Sequence, residues 1–155
     1  MADAKYGAPA SWVDAFNPAD FQALASNGGK LSTIAAALDN SANLHLYGEF
    51  SFSCVTSTWA VGIGGHLAVY LLPEQHDGTY PNTTDGAAVT DYPGGGYFFG
   101  VITFKQATLA HRGSCRGIIP PSKFMPYVVN RTGAALPNHA TNMTMKFRSY
   151  AEQVS

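Results

Sequence analysis

Leu44-His45-Leu46-Tyr47-Gly48-Glu49-Phe50-Ser51-Phe52-Ser53-Cys54 alternates without a break. Leu44, Leu46, Gly48, Phe50, Phe52 and Cys54 share one parity, and His45, Tyr47, Glu49, Ser51 and Ser53 share the other. A period of two sends the first set to one face of an extended chain and the second to the opposite face, which a helix of period 3.6 cannot do. This segment is predicted as a β-strand with an apolar inner face.

The same pattern recurs on both sides of it. Leu31 to Leu38 is a shorter apolar run ended by the turn residues Asp39-Asn40-Ser41, so a strand-turn-strand unit is expected, although Ala35-Ala36-Ala37 favours helix by propensity. After Gly62-Ile63-Gly64-Gly65, His66 to Leu72 reads as a central strand. Tyr97 to Phe104 is apolar at both parities, as expected of a strand covered on both faces. Cys115 to Ile119, Lys123 to Asn130 and Met143 to Tyr150 follow at short spacing, the last with Met143, Met145 and Phe147 inward and Thr144, Lys146 and Arg148 outward. About seven strands with turn signals between them and no crossover helix predict an all-β fold, an antiparallel two-sheet β-sandwich.

Residues 1–29 read differently from residues 30–155. Large apolar groups stand singly there (Tyr6, Trp12, Val13, Phe16, Phe21) among Ala, Pro, Gly and Asn, with no periodic stripe. Asn17-Pro18 has the form of a helix start and Asn27-Gly28-Gly29 would end that helix within about two turns. An extended N-terminal arm is expected, its aromatic residues docking as anchors on this domain or on a neighbouring copy, and removal of Met1 to Phe16 is expected to leave the sandwich folded but to weaken assembly.

Composition narrows the function. Charged residues are 12% of the 155, about half the usual share of roughly 25%, so uncharged polar groups or neighbouring molecules must cover much of the surface. A net charge of −1 and the lack of any Lys/Arg cluster remove the electrostatic basis for nucleic-acid binding. No apolar run approaches the roughly 20 residues that span a bilayer, and the start has no apolar signal core, so synthesis in the cytoplasm and no membrane contact are expected. Cys54 and Cys115 are expected as buried thiols. The sequons at Asn82, Asn130 and Asn142 are then coincidental.

No chemistry-bearing constellation stands out. The five histidines have no metal-ligand spacing, no G-x-S-x-G occurs, and Asp77, Asp85 and Asp91 match no calcium loop. Neither catalytic residues, metal nor cofactor are expected. The loop from Glu74 to Gly96 is long enough to be functional. Its Tyr80 and Tyr92, with Tyr6, Trp12, Phe16 and Phe21, are the candidate subunit-interface residues. Exposed tyrosines, including Tyr47, Tyr70 and Tyr97, also suit a carbohydrate-binding module.

Two blocks of the chain carry a family resemblance. Leu38-Asp39-Asn40-Ser41-Ala42-Asn43-Leu44, followed by Val69-Tyr70-Leu71-Leu72-Pro73 and Asp77-Gly78-Thr79-Tyr80-Pro81, resembles small structural proteins of tailed bacteriophages. So does Arg116-Gly117-Ile118-Ile119-Pro120-Pro121 with Val128-Val129-Asn130-Arg131-Thr132-Gly133-Ala134-Ala135-Leu136. The match runs from Leu31 to Val154 and leaves the N-terminal segment out. It implies a jelly-roll-like sandwich in the virion, on the outer surface of the capsid as a decoration or cement protein. The partners so implied are the major capsid protein or other virion proteins, and further copies of the chain in a homotrimer. A tail, baseplate or head-fibre component would share these motifs.

Overall fold

The computed structural model describes residues 4–6, 8–34, 36–83 and 96–154. Its strands are β1 (Ala4–Tyr6), β2 (Val13–Asp14), β3 (Gly29–Leu31), β4 (Leu38–Asp39), β5 (Tyr47–Cys54), β6 (His66–Pro73), β7 (Tyr97–Thr103), β8 (His111–Ile118), β9 (Lys123–Arg131), β10 (Met143–Tyr150) and β11 (Glu152–Val154). One sheet has the order β2-β10-β5-β8, and the other has β3-β9-β6-β7 with β4 also on β9. All pairings are antiparallel, and β1 pairs with β11 apart from both sheets. The two sheets pack face to face as a β-sandwich, as the alternation predicts.

The alternation decides which side chains lie between the sheets. Phe50, Phe52 and Cys54 of β5 and Met143, Met145 and Phe147 of β10 point inward and are buried, against Leu67, Val69 and Leu71 of β6 and Phe124 and Val128 of β9. Each such side chain contributes roughly 1.5–3 kcal/mol by leaving water. The rings interlock edge to face, Phe50 with Phe99 at 5.1 Å and Phe124 with Phe147 at 5.6 Å between centroids.

Four expectations change. The first strand begins at Tyr47 and not at Leu44, because Asn40 donates to His45 O and Pro120 O and accepts from His45 N. These bonds hold a turn in which Leu44 takes a left-handed φ of 48° and stays exposed. The run from Leu31 to Leu38 is not one strand: β3 and β4 pair with β9 at its two ends, and between them Thr33 donates from N and Oγ to the Asp20 carboxylate. The strand expected at Cys115 starts four residues earlier, at His111. Its first half carries no apolar parity because glycine is needed there: a Cβ on Gly113 would lie 2.6 Å from Ile102 Cγ2. The strand at Tyr97, expected to be covered on both faces, leaves Tyr97, Phe98 and Val101 exposed.

The N-terminal segment is the largest correction. Residues 8–29 are not a detached arm. Phe16 and Phe21 are 1% and 0% exposed and belong to the main core, with Phe21 5.1 Å from Phe16 and 5.4 Å from Phe52 between ring centroids. The expected helix is one 3₁₀ turn, Pro18–Phe21, which rolls Phe21 inward while the Asp20 carboxylate accepts from Asn17 N and Thr33. Asn130, fully buried, then locks the segment down: its Nδ2 donates to Leu24 O, Ala25 O and Ala134 O, and its Oδ1 accepts from Thr132. Anchors spaced without a period are what a segment of turns needs, since each turn aims one side chain at a time.

Candidate interaction site

Phe98 and Val101 are exposed because of one irregularity in the sheet. The β6–β7 register shifts between Val69 and Tyr70, so Val69 faces Gly100 while Tyr70 faces Phe98, and Phe99 is the extra residue of a bulge. Phe99 and Ile102 therefore point into the sandwich, and Phe98 and Val101 point out of it. Phe98 sits edge-on to Tyr70 at 5.5 Å, on the rim of a second apolar cluster formed by Ala68, Tyr70, Leu72, Tyr127 and Val129 on the outer face of this sheet. Tyr97 and Phe98 are each 61% exposed. β7 is the last strand of its sheet, and among the described residues no strand pairs with its free edge. Its sequence, Tyr97-Phe98-Phe99-Gly100-Val101-Ile102-Thr103, has neither the charge nor the proline that normally protects an edge.

The outer face of the other sheet is mostly polar, with Ile118 exposed at one end beside Tyr47. Glu49 of β5, 5% exposed, lies between Arg148 of β10 and Arg116 of β8. Arg148 donates from Nε at 2.9 Å and from a terminal nitrogen at 2.6 Å to one carboxylate oxygen, and Arg116 Nε stands 3.3 Å from the other. Burial opposes the charge on Glu49, but the Arg148 hydrogen bonds and the charges of both arginines outweigh it and hold the carboxyl below its ordinary range. The guanidinium of Arg148 also lies 4.3 Å over the Trp12 ring.

Of the interface residues expected from sequence, Trp12 is surface-exposed in that contact, and Phe16 and Phe21 are interior and so are not interface residues. Tyr80 is half-buried beside a cleft of about 350 Å³ lined by Leu31, Ser32, Thr33 and Pro81. Tyr6 lies in β1 by its backbone, and Tyr92 falls outside the described residues. Tyr70 is buried and so closed to a sugar, and Tyr47 has one ring face stacked on Tyr150 at 6.0 Å. The parity of β7 was the missed signal: Tyr97, Phe98 and Phe99 in succession cannot all face one core.

Among the described residues, no three His, Cys, Asp or Glu side chains group to hold a metal ion. His45 Nδ1 lies 2.7 Å from Ser149 Oγ, a hydroxyl–imidazole pair brought together from residues 104 apart. Among the hydrogen bonds of the described residues, no carboxylate orients that imidazole as a serine nucleophile's base requires. Burial, with the Glu49 charge behind it, pushes the Cys115 thiol up to about 12, and Cys54 is fully buried. Trp59 Nε1 is a buried donor with no hydrogen-bond acceptor among the described residues, and its ring meets His111 edge to face at 5.0 Å.

No protein-family model matches the chain, and a comparison with curated proteins finds no match either.

Proposed function

We propose that this chain is a non-enzymatic structural protein of a bacteriophage particle, a capsid decoration or cement subunit that binds and stabilises the assembled head. The observation that carries the binding role is the free edge of β7, uncharged and exposing Tyr97, Phe98 and Val101. Such an edge pairs or packs with another chain unless something protects it. The virion assignment rests on the turn motifs around Asp39 and Pro120. The strand order supports it: the orders β2-β10-β5-β8 in the four-stranded sheet and β3-β9-β6-β7 in the five-stranded one, where β4 is an addition on β9, fit the jelly-roll arrangement that capsid proteins use.

The assembled unit in this reading is a homo-oligomer. A trimer requires a head-to-tail contact, in which β7 of one copy meets a different surface of the next. Binding only the assembled shell stabilises it by mass action, because dissociation of the shell must also release the bound subunits. Sedimentation tests this directly. The purified chain is expected to pellet with assembled heads that lack it and to remain in the supernatant with unassembled major capsid protein. Failure to pellet with heads, or equal binding to tails, would refute the head assignment.

A further inference from the structure

We propose that the outer face of the β2-β10-β5-β8 sheet is the seating surface, and that it docks on a protein surface rich in carboxylates. Strand parity puts Arg112 and Arg116 of β8 and Lys146 and Arg148 of β10 on this face, with only Glu49 and Asp14 opposing them. Four of the nine Lys and Arg residues thus share one face with two of the ten Asp and Glu residues, leaving five cations against eight carboxylates in the rest of the chain. A molecule of net charge −1 therefore carries a face of formal charge +2. Segregation of this kind steers and registers a partner of opposite sign.

The face is built to present that charge. Glu49 braces Arg116 and Arg148 from below and so removes much of the side-chain entropy that docking would cost. Lys146 reaches Asp14 at 3.0 Å, and Arg112 Nε lies 3.4 Å from Ser53 Oγ. Between the charged rows the outward positions are Ser51, Ser114 and Thr144, which leave the centre low and wettable. On the outer face of the opposite sheet the apolar cluster is buried, with Phe98 and Val101 exposed at its β7 rim.

A nucleic acid fits less well than a protein. The aromatic rings on this face already have partners, Trp12 in Arg148 and Tyr47 in Tyr150, which leaves less ring surface for stacking bases.

The partner's identity as a phage shell rests on the function proposed above, whereas its acidic character does not, and the experiment separates the two. Wild type, Arg112→Glu/Lys146→Glu and the control Lys105→Glu are each measured on assembled heads, on a poly-L-glutamate surface and on single-stranded DNA. Circular dichroism checks the fold of each. Both substituted residues are exposed, and Arg112→Gln/Lys146→Gln provides a milder pair.

The double reversal is expected to weaken binding to heads and to poly-L-glutamate by about tenfold or more at low salt, with Lys105→Glu unchanged. Wild-type binding is expected to weaken as salt rises from about 0.05 to 0.5 M. Wild type that binds poly-L-glutamate but not heads would refute the phage shell and keep the acidic partner. Binding of the reversal within twofold of wild type, no binding to either acidic probe, or tighter binding to DNA than to poly-L-glutamate would overturn the inference.

Discussion

Phe21→Ala measures whether the N-terminal segment is core or arm. Phe21 is fully buried, 5.4 Å from Phe52 and 5.1 Å from Phe16, and Phe52 in turn touches Trp59 and Phe104. Truncation removes the transfer energy of a buried ring and leaves a cavity that neighbours held by two sheets fill only in part. Such changes cost about 3–5 kcal/mol. In urea, with an m value of about 2 kcal/mol/M, the midpoint should fall by about 2 M. Trp12→Ala is the internal comparison. Trp12 is 38% exposed and its named contact is Arg148, so the loss should be about 0.5–1 kcal/mol. If Phe21→Ala unfolds within about 0.5 kcal/mol of wild type, the ring is not part of a packed core, and residues 8–29 are a docked arm after all.

Removal of Met1 to Phe16 deletes β2 and the buried Phe16 ring, so the truncated chain should be destabilised by at least about 3 kcal/mol, read as a lowered thermal midpoint. Asn130→Ala removes the hydrogen bonds to three carbonyls, each of which keeps a second donor, leaves the Thr132 amide without its acceptor, and should cost about 2–3 kcal/mol by the same measurement. Glu49 has a folded pKa below its unfolded value of about 4.3, so its stabilisation is full above that pH and is lost as the pH falls through the folded value. Glu49→Gln should therefore flatten the decline of thermal midpoint with acid below about pH 4. Cys54 and Cys115 should resist a thiol reagent at about pH 8 in the native protein and react fully once it is denatured.

The two-sheet sandwich was legible wherever burial alternates along one strand. Phe50, Phe52, Met143, Met145 and Phe147 sit in a period of two because each has a solvated neighbour on the outer face, and their inward positions follow from parity alone. Parity fails where the inner face is filled from across the sandwich. Gly113 and Gly117 are small because Ile102 and Phe99 of the facing sheet occupy their space, so half of β8 left no apolar trace. It fails also in the N-terminal segment, where isolated Phe16 and Phe21 are delivered by turns. The polar partners that hold this segment, Thr33 for Asp20 and residues 24 and 25 for Asn130, are set by tertiary approach, which local sequence does not encode.

The candidate surfaces were harder to see. The exposure of Phe98 depends on a bulge opposite Tyr70, and the basic face assembles residues from β8 and β10 that are thirty or more positions apart. No run of the sequence shows either feature, and the low overall charge conceals the second. What the residues did carry was the general form, a charge-poor two-sheet sandwich.

The proposed function places this chain in a phage particle, and a cryo-electron microscopy map of such a particle tests the proposal most directly. The sandwich should appear as repeated density on the outer surface of the head, with the β2-β10-β5-β8 face toward the shell and β7 toward a neighbouring subunit. A particle that lacks this density, or carries it only on the tail, would contradict the assignment as a head decoration protein.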